Sequence, residues 1–218
     1  MQLLRLIDTG GRVDDQWLWR HLSLDVDKGD CVGIIGPSGA GKSQFLRAIA
    51  GLRTFDEGRV AFCGSPVDTL QMPEYRSRVI LVAQTPALIE GSVRENLKRV
   101  FGFRSNDQRH YDESDAVTIL KHTGRDETFL DKSAANLSGG ERQIAAFIRA
   151  IQLRPDILLL DEPTASLDER VGRQLDTVAK NALRDGLVGA IIRAAHQPEE
   201  IAQDCSRTVD FATAGPGT

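Results

Sequence analysis

Gly36-Pro37-Ser38-Gly39-Ala40-Gly41-Lys42-Ser43 fills every fixed position of the pattern G-x-x-x-x-G-K-[ST]. Glycines in such a loop let successive backbone N–H groups turn inward and approach phosphate oxygens without interference from a Cβ. Lys42 is spaced to reach the β- and γ-phosphates of a nucleoside triphosphate. The Ser43 hydroxyl is spaced to ligate Mg²⁺, and Gln44 follows in the first turn of the next helix. The bland alternative is an ordinary glycine-rich turn. A second chemical pair, Asp161-Glu162, closes the apolar run Ile157-Leu158-Leu159-Leu160. There Asp161 would hold Mg²⁺ through its water shell, and Glu162 would accept a proton from an attacking water. A surface Asp-Glu pair at a strand end is the structural alternative.

Weaker motifs stand between and after these two. Leu137-Ser138-Gly139-Gly140-Glu141 contains a capping box, Ser138 with Glu141 three residues on, that announces a helix through Ala150. Each glycine costs a helix about 1 kcal/mol relative to alanine. Gly139 and Gly140 therefore make sense if another backbone or a phosphate must come close to that helix end. Gln84, Ser166-Leu167-Asp168 and His196 mean little singly. A Gln after a strand, an Asp that caps a helix and a structural histidine are all common.

The elements that must carry these residues follow from apolar patterning. Cys31–Ile35, Val79–Ala83, Ile157–Leu160 and Val188–Ile192 read as buried strands without alternation, as expected of a parallel sheet covered on both faces. Helices are expected at Phe45–Ala50, ended by Gly51, at Ser92–Val100 with a Ser92/Glu95 capping box, at Glu113–His122, and from Asp168 to Arg184. Gly102–His110 is polar and poorly patterned, so a loop is expected there. Strands alternating with helices over 218 residues indicate one α/β domain.

Composition narrows the class further. No run of 18 apolar residues is present to span a membrane, and Met1–Arg5 has no secretory apolar region. A net charge of −4 without a basic cluster gives no reason to expect nucleic acid. Cys31, Cys63 and Cys205 are scattered, which suits reduced thiols.

The motifs occur in the order found in ABC-type ATPases, and the chain resembles that family from the first strand to about Phe211. The most specific element is the segment 137–141, preceded by Asn136 and followed by Arg142-Gln143. The resemblance implies a P-loop NTPase fold of ABC type. Its core, about 1–84 and 156–218, would combine an antiparallel sheet with a parallel one, and a helical subdomain would occupy about 85–155. It implies ATP and Mg²⁺ as ligands, with Ser43, Gln84 and Asp161 around the metal and Glu162 and His196 at the γ-phosphate. Ser138, Gly139, Gly140 and Glu141 would face ATP held by a second copy of the chain. Ser166, Leu167 and Asp168 would cross that dimer interface. It further implies transmembrane permease subunits as partners and a peripheral place on the cytoplasmic face of the membrane. A soluble ABC-type ATPase acting on nucleic acid or ribosomes is the alternative, and a P-loop kinase or GTPase should lack the 137–141 motif.

Two finer expectations concern the base and the cargo. The family places an aromatic residue about 29 positions ahead of the P-loop lysine, where this chain has Val13, flanked by Arg12. Either the Arg12–Val13 edge covers adenine or Trp17 does, whereas Trp19 reads as core. Tyr75–Val79, Gln84–Leu88 and Gly91–Leu97 resemble bacterial cassettes linked to metal (iron) export. In outline they are shared with phosphate and amino-acid importers.

Overall fold

The computed structural model describes residues 1–165, 167–196, 201 and 205–211. Gln2–Val13 (β1) and Gln16–Asp27 (β2) pair antiparallel along their length, with register shifts at Leu6/Thr9 and Gly11/Arg12. Glu57–Phe62 (β4) adds to the other side of β1, and Ser65–Pro66 (β5) completes a four-stranded sheet in the order β2-β1-β4-β5. Trp19 points inward from β2 and is fully buried, edge-on to Phe45 and Phe55 at 5.4 and 6.2 Å and tilted against Phe211 at 6.1 Å. Gly11 lies directly beneath the indole, where any Cβ would collide with the ring. Trp19 is thus a core residue, as its sequence context indicates.

The second sheet is all parallel. Cys31–Ile35 (β3), Val79–Val82 (β6), Ile157–Asp161 (β7), Ala190–Ala195 (β8) and Arg207–Asp210 (β9) run in the order β6-β7-β8-β3-β9. Alternate residues serve opposite layers. Ile157, Leu159 and Ile192 pack with the antiparallel sheet and with Lys42–Ile49 (α1), whereas Leu158, Leu160 and Ile191 pack under the helices on the other face. Apolar burial on both sides explains why β7 and β8 read as unbroken apolar runs.

Met72–Arg78 (α2) leads into β6. Between β6 and β7 the chain forms Val93–Arg99 (α3), Glu113–His122 (α4) and Gly139–Ile151 (α5). Each is capped by a side chain expected from its residue type. Ser92 and Ser138 form full capping boxes with Glu95 and Glu141, and Asp112 accepts from Ser114 N. Glu169–Arg184 (α6) begins at Asp168, whose side chain accepts from Val171 N. The segment expected to be a plain loop, Gly102–His110, contains a single-turn 3₁₀ helix, Arg104–Asn106, and a second one, Val100–Gly102, leads into it. Its polar residues form internal bonds: Asn106 Nδ2 donates to Val100 O, and Arg109 bridges Asn106 and Ser77 O.

One expectation fails. Cys31 and Cys205 are buried and placed as a disulfide pair, Cα–Cα 4.5 Å, so they do not stand as separate thiols, and only Cys63 is a free cysteine. Spacing hides this pairing, because the two residues are 174 positions apart and meet only through the parallel pairing of β3 with β9. Ser166 and the tail from 212 lie outside the described residues.

Candidate functional site

Sheet order brings the chemical residues together. Asp161 on β7 pairs with Ala194 on β8, which pairs with Ile34 on β3, so the C-terminal ends of three strands lie level. The loop after β3 is the glycine-rich one, the turn after β7 carries Glu162, and His196 follows β8 directly. Gln84 stands two residues past β6. This edge of an open parallel sheet is where ligands bind in α/β folds.

The loop itself demands its glycines at two places. Gly41 is left-handed, with φ +96°, and a Cβ there would come within 2.7 Å of Leu18 Cβ. Gly39 has φ +81°. After that turn α1 starts at Lys42, so its unpaired N–H groups and positive dipole end face the loop. Lys42 is 4% exposed, and its ammonium donates to Gly36 O at 2.7 Å and Pro37 O at 3.1 Å, with Glu162 Oε1 at 3.4 Å.

Around this ammonium the carboxylates divide. Asp161 is buried and its Oδ1 accepts a hydrogen bond from Ser43 Oγ at 2.9 Å. Burial raises its pKa above the ordinary value, opposed by the Ser43 hydrogen bond, while neighbouring Glu162 adds to the rise. Glu162 Oε2 accepts from Gln84 Nε2 at 2.9 Å and lies 2.9 Å from His196 Nε2. Glu162 also has φ +46°, a left-handed conformation uncommon outside glycine and one that concentrates at functional sites.

An open cavity of about 370 Å³ lies against these groups, lined by Val13 and Leu18, by Ser38 to Gln44, and by Gln84, Glu162 and His196. Of the two candidates for the base, Val13 reaches this cavity. Arg12 does not line it: its guanidinium stacks over the Trp17 ring at 5.0 Å and lies 3.7 Å from Asp56. Trp17 also does not line the cavity; its ring carries the guanidinium groups of Arg12 and Arg20, the latter at 4.5 Å. Hairpin register accounts for both results, since Arg12 opposes Trp17 while Val13 opposes Gln16, and Leu18 is the residue left unpaired at the Gly11/Arg12 register shift. Leu18 escapes a reading based on aromatics; counting alternation through the hairpin from Val13 would have found it. Arg53 braces this edge, donating to Arg12 O at 2.9 Å and to Gln44 Oε1 at 3.4 Å.

Ser138, Gly139, Gly140 and Glu141 are not among the residues lining this cavity. They form the start of α5, where a Cβ on Gly139 would meet nothing within 4 Å. Glu141 there is bonded by Lys132 at 2.7 Å and by Ser138 N, which together hold its carboxyl at about 2. Asp168 caps α6 and Leu167 is half-buried beside it, whereas Ser166 lies outside the described residues.

A parallel sheet bearing a phosphate loop, a carboxylate pair and a histidine at one edge defines an ATPase of the P-loop class. The chain belongs to the ABC transporter family, whose sequence pattern matches residues 19–165. It is an ATP-binding and ATP-hydrolysing cassette of that family. It is 33% identical to the probable iron export ATP-binding protein FetA of Escherichia coli K12 over 91% of this chain and 87% of that one. It is 37% identical to the phosphonates import ATP-binding protein PhnC of Alcaligenes faecalis over 79% of this chain and 66% of that one. Among solved structures, the ATP-binding cassette MJ0796, a dimer bound to ADP and Pi, superposes with a TM-score of 0.81 at 26% identity, covering 95% and 94% of the two chains. No helix among the described residues is long and apolar enough to cross a membrane.

Proposed function

We propose that this chain hydrolyses Mg²⁺-ATP with Glu162 as general base, and that it works as a pair of copies attached to separate transmembrane permease subunits. The observation that supports this best is the convergence of Lys42, Gln84 and His196 on the Glu162 carboxylate, next to the Ser43–Asp161 pair at the same sheet edge. Ser43, Gln84 and Asp161 supply hydroxyl, amide and carboxylate oxygens, the hard donors that Mg²⁺ takes. Among the described residues no group of three or more His, Cys, Asp or Glu is placed to hold a metal ion by itself. A cation here would accordingly share its shell with nucleotide phosphates, as Mg²⁺ does in such sites. Bound Mg²⁺ would neutralise charge developing on the β- and γ-phosphates.

The chain's own groups do the rest. The 36–43 loop and the α1 terminus bind the phosphates, and Lys42 exchanges carbonyl partners for phosphate oxygens. Glu162 takes the proton of the attacking water, with Gln84 and His196 orienting its carboxylate. In this reading 85–155 is a helical subdomain, distinct from a core of about 1–84 and 156–218. Its Ser138–Glu141 end closes over ATP bound by the other copy, and Ser166, Leu167 and Asp168 line the contact. A groove of about 200 Å³ between β6, Pro86-Ala87, Val100 and α5 lies beside Gln84 and offers the permease a place to dock.

A relative matched over 91% of this chain and 87% of its own is named for iron export, which favours a metal-export role on the cytoplasmic face of the membrane. The phosphonate relative favours an importer instead. Substitution separates chemistry from binding. Glu162→Gln should lower ATP turnover at least 100-fold, by the order of magnitude that general-base removal costs, while ATP affinity stays near wild type. Lys42→Ala should weaken ATP binding itself. Turnover within a few-fold of wild type in Glu162→Gln would overturn the assignment.

A further inference from the structure

Every residue of β8 is buried, and one of them is Arg193, 4% exposed. A charge in the middle of a central strand is costly to desolvate, and an aliphatic residue there would often be as stable or more so. Its neighbours two positions away, Ile191 and Ala195, belong to the apolar layer under α5 and α6, so the Arg193 side chain leaves the sheet on that face. There Nη1 donates to Asp176 Oδ1 of α6 at 2.5 Å, and Nη2 donates to Thr164 Oγ1 at 3.3 Å. Thr164 lies two residues beyond Glu162, and Arg193 lies three residues before His196. The helix that carries Asp176, α6, is the one that Asp168 caps. One guanidinium therefore ties β8 to the turn after β7 and to α6.

We propose that Arg193 is a positioning residue for ATP hydrolysis. Through Thr164 it fixes the turn after β7 against β8 and α6, and so holds the Glu162 carboxylate between Gln84 and His196. Glu162 is the left-handed residue of that turn, so its conformation depends on what the turn is tied to. The inference rests on the reading of Glu162 as the base.

The test measures phosphate release by the purified full chain over a range of Mg²⁺-ATP concentrations, with thermal unfolding alongside. Arg193→Met should lower kcat about 10-fold or more, since small displacements of a reacting group cost up to about 100-fold, while KM stays within about twofold. Arg193→Lys, which reaches Asp176 without the two-pronged geometry, should fall between Met and wild type. Thr164→Val keeps the shape and removes one acceptor, and should lower kcat by a few-fold without moving the unfolding midpoint. It decides the matter if Arg193→Met does not fold. Wild-type kcat in Thr164→Val and Arg193→Lys, or KM rising in step with any loss, would overturn the proposal. Glu162→Gln in the same assay separates the two claims. If it is inactive while Thr164→Val is fully active, the brace alone is refuted; if it is active, the base assignment falls and the brace with it.

Discussion

Glu162 receives Gln84 and His196 on one oxygen and faces Lys42 with the other, so its position is set by side chains from three different strand ends. On the proposed function the base of the nucleotide would meet a less exacting surface. Val13 and Leu18 give the cavity an apolar side, and no Phe, Tyr or Trp is among the lining residues. Burying a methyl-sized group is worth about 0.8 kcal/mol, and Val13→Ala removes two, so it should weaken ATP by at most about 15-fold. Trp17→Ala should leave ATP affinity within about twofold, because its ring is occupied by Arg12 and Arg20. Equilibrium titration of both variants checks this, and a 5-fold or larger loss in Trp17→Ala would return the base to the indole. At this scale the phosphate loop, Asp161 and Glu162 were legible because each is a contiguous string with its own chemistry. Leu18, Arg53 and the brace at Arg193 were not, because they act through hairpin register or through contacts between distant segments.

Capping accounts for how the helices are placed, and here local sequence speaks plainly. Ser92/Glu95, Ser138/Glu141 and Asp168 all lie where a hydroxyl or carboxylate can accept from the first turn, and all do so. The Glu141 carboxyl is moved from its ordinary value of 4.5 to about 2, first by Lys132 and then by Ser138 N. The sign follows from linkage: a folded pKa below the unfolded one gives stability that is present above about pH 4.5 and is lost as pH falls through about 2. Glu141→Gln keeps a capping partner but removes the titration, so it should flatten the stability loss over that window, measured as urea midpoints at pH 6 and pH 3. Because the pair with Lys132 is partly exposed, the effect should be small and should shrink further in salt. An unchanged acid slope would show that the depressed carboxyl contributes nothing to folding. What local sequence could not show was the meeting of β3 with β9, and with it the pairing of Cys31 and Cys205, because strand order is a property of the whole sheet.

As a whole, on the proposed function, the molecule carries one half of each composite site. The cavity beside the 36–43 loop is open and is lined by residues of the core and hairpin. The glycine-bearing start of α5 presents backbone on a side where a Cβ on Gly139 would meet nothing of its own chain. A helix terminus with a bare backbone suits an anion brought by another molecule. Two copies related by a twofold axis would place each α5 terminus over the other's phosphate loop, an isologous arrangement in which ATP is part of the interface. Binding to the dimer alone would then stabilise it by mass action. Sedimentation velocity of the Glu162→Gln chain tests this most directly, because that variant should keep the ATP it binds. With saturating Mg²⁺-ATP it should sediment as a dimer and without nucleotide as a monomer, and Ser138→Arg should abolish the shift while ATP still binds. A Glu162→Gln chain that binds ATP yet remains a monomer across the accessible concentration range would contradict the account.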